Sequence, residues 1–174
     1  IIFSFLMMSM MFIMIPRAAV SGDRIQEVLA VKPSIVDPAT PKKLPMKAQT
    51  TLAFDHVSFR YEGAEEDVLH DITFVAKPGE TTAFIGSTGS GKSTLINLIP
   101  RFFDVTSGAV KIDGIDIREV TQHDLREKIG YIPQKGVLFS GTVASNLKYG
   151  DPLANEADLA IAAQVAQATD FIES

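Results

Sequence analysis

Residues 86–94 read Gly-Ser-Thr-Gly-Ser-Gly-Lys-Ser-Thr, and they restrict the possible folds of this chain more than any other stretch. The run fits G-x-x-x-x-G-K-[ST], a loop that cradles phosphate when a strand enters it and a helix leaves it. Residues 80–85 (ETTAFI) predict a buried strand entering the loop, and residues 92–99 (KSTLINLI) predict a helix leaving it. Gly86, Gly89 and Gly91 let the backbone curl, so that successive N–H groups of the loop, Ser87, Thr88 and Ser90 included, can point inward at phosphate oxygens. The start of the helix adds the positive end of its dipole at the same place. In such a loop Lys92 brings a full charge to the β- and γ-phosphates and the Ser93 hydroxyl suits Mg²⁺. Thr94, one residue deeper, is placed to donate to the α-phosphate. The plainer reading, a glycine-rich turn ahead of a helix, leaves the order of strand, loop and helix unexplained. The expectation is a nucleoside triphosphate site in an α/β fold.

The rest of the chain divides by composition. Residues 1–15 (IIFSFLMMSMMFIMI) carry no charge. As a helix they would span about 22 Å, short of the roughly 30 Å hydrocarbon core of a bilayer. A signal peptide would need an initiating Met and a basic start, and neither is present. A buried soluble helix would usually show one polar face. The end of a membrane span fits better, because Arg17, Arg24, Lys32, Lys42, Lys43 and Lys47 follow it, as expected on a cytoplasmic side. Residues 16–31 continue or restart a helix, with Ile25, Val28 and Leu29 on one face. Residues 32–50 contain Pro33, Pro38, Pro41 and Pro45 among lysines, which predicts a linker that is extended rather than packed.

Strand patterns begin at Thr51. Leu52, Phe54, Val57 and Phe59 mark one strand, and Ile72 with Phe74 marks a second across residues 70–76. Pro78-Gly79 turns the chain toward the loop, and Pro100 should stop the helix that follows it. Asp113-Gly114 between two apolar runs predicts a hairpin. A short helix is expected over 123–128 and a longer one over 155–172, where Leu159, Ala162, Ala163 and Ala166 recur at helical spacing.

Composition removes other functions. A net charge of −5, with no basic stripe interleaved with aromatics, argues against a general nucleic-acid binder. With no cysteine there is neither a disulfide nor a thiolate zinc site. His56, His70 and His123 match no metal-ligand spacing.

Several stretches then combine. Tyr61 in VSFRY precedes GSTGSGKST; RFFDVTSGAVKIDGIDI and LREKIGYIPQKGVLFSGTVASNLKYG follow it. Together they resemble the nucleotide-binding domain of ATP-binding cassette (ABC) exporters of the multidrug or lipid type, over essentially the whole chain. The apolar start and SGDRIQEVL resemble the end of the last transmembrane helix and its junction.

By that resemblance Tyr61 stacks on adenine and Val68 lines the same side of the base. Gln134, in IPQKGVLF, would ligate Mg²⁺ and sense the membrane domain, with residues 135–150 near the coupling contact. From the residues alone, Tyr61 is a half-buried packing residue and Gln134 a surface one. Lys92 and Gln134 are thus the catalytic candidates, and Ser93 and Gln134 the metal ligands. Tyr61, Val68, residues 86–94 and Gln134 form the nucleotide site, with ATP and Mg²⁺ as cofactors.

The family's Leu-Ser-Gly-Gly-Gln signature, catalytic Glu and switch His do not occur in these residues. None of Asp104, Asp113, Asp116 or Asp124 suits the place of that Glu, since each sits in a turn or at a helix start. The resemblance therefore implies an α/β P-loop NTPase (ABC ATPase) core with an antiparallel β portion, C-terminally truncated and preceded by an apolar helix end. Residues 1–31 would be the membrane helix end and its extension, 32–50 the linker, and 51–174 the first half of the nucleotide-binding domain.

The implied protein couples ATP hydrolysis to export at the cell membrane, with this domain on the cytoplasmic side. Its partners would be a transmembrane domain and a second nucleotide-binding domain, identical or not. These residues alone are expected to hydrolyse ATP negligibly. The alternatives are a membrane-attached ATP-binding regulator and another P-loop NTPase. A GTPase is disfavoured because no Asn-Lys-x-Asp occurs.

Overall fold

A three-residue step between Phe54 and Val57 interrupts the period of two along the first predicted strand. The computed structural model, which describes residues 1–45 and 50–173, shows why. Strand β1 (Leu52–Phe59) buries Phe54, Val57 and Phe59 on one face. The pairing register shifts between Phe54 and Val57, so one extra residue returns the apolar set to the core side. β1 pairs antiparallel with β2 (Leu69–Ala76) on one side and β3 (Ser107–Ile112) on the other. A short β4 (Ile115–Asp116) completes the order β2-β1-β3-β4. The β3–β4 hairpin turns at Asp113 and Gly114, with φ of 49° and 81°, as the Asp-Gly pair predicted.

Helix α2 (Lys92–Leu98) leaves the phosphate loop and packs Leu95 and Leu98 into the core formed by this sheet. Ile117 and Val120 join the same cluster, as does Leu125 from α3 (Gln122–Arg126). Pro100 lies just past the end of α2, where the missing N–H and the restriction on the preceding residue stop a helix.

The bulge places His56 and Asp71 opposite each other, with φ of 49° and 47°. His56 Nδ1 lies 2.6 Å from Asp71 Oδ1, and this hydrogen bond, with the carboxylate charge behind it, raises the imidazole pKa above its usual range. A raised folded-state pKa stabilises the fold fully below the unfolded value of about 6.5 and is lost as pH rises through the folded value. Both side chains are exposed, so the effect is small and screened by salt. The melting temperature is expected to fall slightly from about pH 6.5 upward, and Asp71→Asn should remove that slope. An identical slope in Asp71→Asn would exclude the pair as its source.

Three expectations are corrected. Residues 80–85 are irregular and not a buried strand: Ile85 is 96% exposed, and only Phe84 packs inward, 5.2 Å from the Phe74 ring. A strand exists through its ladder partners, and among the described residues no strand lies beside this segment, so the sheet is wholly antiparallel.

The second correction concerns the linker. Residues 32–45 stay largely exposed, with bends at 34–35 and 39–40, but they are held to the domain at several points. Leu44 lies against the core, the Lys42 N–H donates to Glu119 O at 2.7 Å, and Asp37 Oδ1 accepts from the Gln122 N–H at 2.9 Å. Lys47 lies outside the described residues.

The third is the terminal helix, which is two helices, α5 (Glu156–Val165) and α6 (Thr169–Glu173). Gln167, at φ 54°, ends α5; its N–H bonds Gln164 O while the Ala168 N–H bonds Ala163 O. That pair of bonds is a Schellman stop, and no glycine marks it in the sequence.

The chain forms two units, Ile1–Gly130 and Tyr131–Ser174. Within the first, α1 (Ile2–Ala30) runs unbroken through Pro16, so the two apolar stretches make one helix of about 44 Å. It is long and apolar enough to cross a membrane, with a mean hydropathy of 1.7 over its most apolar 18 residues, and none of it is buried. In the second unit Thr142 and Ser145 form a reciprocal capping box at the start of α4 (Val143–Leu147), a helix not foreseen from the sequence.

Candidate functional site

The phosphate loop owes its shape to two left-handed glycines. Gly89 and Gly91 both adopt φ of 85°, a region that costs a side-chain-bearing residue about 1–2 kcal/mol. Gly91 is also crowded: a Cβ there would meet Leu69 Cδ2 at 2.8 Å and Val68 O at 3.2 Å. At Gly86 a Cβ would meet Ser90 Oγ at 2.7 Å. The Ser90 N–H closes the loop onto Ser87 O at 3.3 Å, and Thr88 is exposed at its tip.

Lys92 folds over the loop. Its Nζ donates to Gly86 O at 2.8 Å, Ser87 O at 2.6 Å and Ser90 Oγ at 3.2 Å. All three ammonium protons are therefore directed at the loop, where a phosphate oxygen would compete for them. No side chain caps the start of α2, so its first N–H groups are also turned toward the loop.

A cavity of about 300 Å³ opens against these atoms, lined by Tyr61, Val68 and residues 89–94. Tyr61 and Thr94, both in this lining, have their hydroxyl oxygens 2.9 Å apart. If Tyr61 donates, the buried Thr94 keeps its own proton for another acceptor. The ring of Tyr61 stands edge-on to Phe59 at 4.8 Å and to Phe103 at 5.3 Å, which fixes its plane. The lining thus combines a partly exposed aromatic ring with a cationic glycine loop.

The lining contains no Asp or Glu. Asp104 is held by Arg101, Asp113 accepts from the Thr51 N–H and hydroxyl, and Asp116 is paired with Arg118. Burial pushes the Asp116 pKa up, but the Arg118 hydrogen bonds and charge outweigh it and hold the carboxyl below its usual range. Among the described residues no cluster of three or more His, Cys, Asp or Glu could hold a metal. The Ser93 hydroxyl, a hard oxygen donor, fits Mg²⁺ that keeps most of its shell from phosphate and water.

The structure brings together Tyr61, Val68 and the loop from Gly86 to Thr94. Gln134 belongs to the second unit, on an exposed bend ahead of α4. Further along that unit, Asn146 clasps Phe139 through the Phe139 N–H at 2.7 Å and its carbonyl at 3.0 Å. The Phe139 and Tyr149 rings stack at 4.4 Å. Sequence reasoning missed the Tyr61–Thr94 contact. Each residue carries a signal of its own, but nothing in the sequence pairs positions 33 residues apart.

Comparison with known proteins agrees with this geometry. An ABC transporter ATP-binding protein of Mycobacterium tuberculosis is 44% identical over 177 aligned residues, covering all of this chain and 30% of that protein. A multidrug efflux ATP-binding/permease protein of Mycobacterium bovis is 42% identical across 91% of this chain and 13% of its own length. The structure of a bacterial Atm1-family ABC exporter with ATP bound superposes with a TM-score of 0.86 at 32% identity, over 96% of this chain and 29% of that one. The chain thus spans less than a third of the length of these relatives. Residues 69–174 match the ABC transporter family itself, and this chain belongs to that family.

Proposed function

We propose that this chain is the ATP-binding part of an ABC exporter, joined through residues 32–50 to the end of a membrane-spanning helix. The observation that carries the reading is one cavity lined by both Tyr61 and the Lys92 loop, with the Tyr61 and Thr94 hydroxyls in contact. Tyr61 stacks on adenine and Val68 flanks it. Lys92, the N–H groups of residues 86–91 and the start of α2 take the phosphates, and Thr94 reaches the α-phosphate.

Mg²⁺, when bound with the nucleotide, neutralises charge on the β- and γ-oxygens. Ser93 would hold it, and Gln134 of the second unit would report nucleotide state to the membrane helices. As charge builds on the transferring phosphoryl group, Lys92 stabilises it from a fixed position. The uncharged, all-round apolar start of α1 suits a membrane, and Arg17, Arg24 and Lys32 suit its cytoplasmic face. A second nucleotide-binding domain would supply what closes over the ATP.

No carboxylate among the described residues lines the cavity, which supports the reading that this stretch lacks a base to position water. Purified 1–174 should bind ATP but turn it over negligibly, whereas the intact dimer should show steady MgATP hydrolysis. Turnover by 1–174 that disappears in Lys92→Ala would overturn that division. Binding without hydrolysis in the intact protein would favour a regulatory module.

Tyr61 gives a separate test. Loss of base stacking costs about 1–3 kcal/mol, so Tyr61→Ala should weaken ATP binding by about tenfold or more. Tyr61→Phe keeps the ring and loses only the Thr94 contact, so a loss of about threefold is expected. Stacking discriminates little between bases, so GTP affinity should fall in parallel. Equal losses in the two variants would make the hydroxyl, and not the ring, the important group.

A further inference from the structure

We propose that residues 34–44 form a rigid strap that fastens α1 to the P-loop unit, so that the two move as one body. The helix ends at Ala30, and Val31 is already extended. Only a few residues then separate it from the first anchor.

That anchor is Arg101, just past the end of α2, whose Nη2 donates to Val36 O at 3.3 Å. The next residue, Asp37, takes both the Gln122 N–H at 2.9 Å and its side-chain amide at 3.2 Å. Arg126 ties the two anchors together. It donates to Gln122 Oε1 at 3.1 Å, to Arg101 O at 3.3 Å and to Pro100 O at 3.1 Å. Further along, Lys42 reaches Glu119 twice, by its N–H to the carbonyl and by Nζ to the carboxylate at 2.8 Å. Leu44 then enters the core.

The domain side of this clamp is stiff. Arg101 is 4% exposed, sits at φ 54° and is gripped by Asp104 at 2.7 and 3.1 Å. A non-glycine residue keeps such a backbone only where its surroundings over-determine it, and releasing a buried guanidinium from its carboxylate is strongly unfavourable. The strap also borders the aromatic side of the nucleotide site. Ser34 and Ile35 line a cavity of about 450 Å³ together with Tyr61 and Phe103. It therefore touches the region of Tyr61 at one point and the far end of α2 at another. A flexible tether would absorb displacement of the P-loop, whereas a strap anchored at these points delivers it to α1. The purpose of this coupling rests on the nucleotide-binding reading; the strap itself does not.

The test measures the distance between spin labels at Asp23→Cys on α1 and Glu66→Cys on the P-loop unit, in the intact protein reconstituted in lipid. These residues hold no cysteine of their own, and any elsewhere in the intact protein is first replaced by serine. The native strap should give one narrow distance distribution. Asp37→Ala combined with Lys42→Ala should at least double its width, and Glu119→Gln alone should broaden it less. None of these residues lines the nucleotide cavity, so MgATP affinity should stay within twofold. A native distribution as broad as the variant's, or a variant as narrow as native, would overturn the strap. Absent MgATP binding with the distances behaving as expected would instead remove the nucleotide-binding reading and leave the strap standing.

Discussion

Replacing Lys92 by Ala is expected to lower affinity for MgATP by about a hundredfold or more. A hydrogen bond from a charged donor is worth about 1.5–3 kcal/mol, and the ammonium directs three protons into the loop. Losing the gain from one or two phosphate contacts reaches that factor, at about 1.4 kcal/mol per tenfold. The same change frees Gly86 O and Ser87 O, which Lys92 now gathers, so the loop also loses an internal brace.

Lys92→Arg should not rescue binding. A planar fork replaces a compact charge, and the ammonium fits within 2.6–3.2 Å of its acceptors. Titration with a fluorescent ATP analogue measures the loss. Thermal unfolding without nucleotide is the control: Lys92→Ala should melt close to the native protein but gain almost nothing from added MgATP. Affinity retained within threefold would remove Lys92 from the phosphate site.

The second large effect is structural. Gly108→Ala should destabilise the fold by about 3 kcal/mol, combining about 1–2 kcal/mol for a left-handed alanine with about 1–3 kcal/mol for overpacking. Gly108 has φ of 76° and sits against the β1 bulge, where a Cβ would collide with the carbonyl oxygens of Asp55 and His56. These are main-chain atoms of a paired strand, so relief requires the bulge itself to move. The bulge keeps Val57 and Phe59 facing inward, and Phe59 in turn supports Tyr61. A weakened bulge should therefore also loosen the Tyr61 side of the cavity. Chemical denaturation should show a lower midpoint, with ATP affinity falling by less than in Lys92→Ala. An unchanged midpoint would show that the bulge yields easily.

Much of this was legible in the sequence. The P-loop consensus is written in glycine, lysine and hydroxyl residues at fixed spacing, because the backbone conformation and the phosphate chemistry both demand those residue types. The antiparallel strands were legible through Leu52, Phe54, Ile72 and Phe74, and the hairpin through Asp113-Gly114. In each case the signal lies within a few residues of the structure it specifies. Even the bulge left a trace, in the three-residue step from Phe54 to Val57.

The departures have a common cause. Residues 80–85 carry the apolar pattern of a buried strand, but composition cannot supply a neighbouring strand, and Ile85 stands exposed. The break at Gln167 has no glycine to announce it, since the two stop bonds and not residue type place the left-handed turn there. The proline-rich linker has the composition of a free tether, yet Arg101, Gln122 and Glu119 hold it down, from 65 to 85 positions away in the chain.

The sequence by itself determined the chemistry of the phosphate loop, the strands of the antiparallel sheet and the apolar character of α1, because local spacing and residue type encode each of them. Only the tertiary structure decided that Tyr61 meets Thr94 and that the linker touches Arg101, Gln122 and Glu119. Both depend on contacts between residues far apart in the chain, which form only once the sheet and α2 have packed against each other.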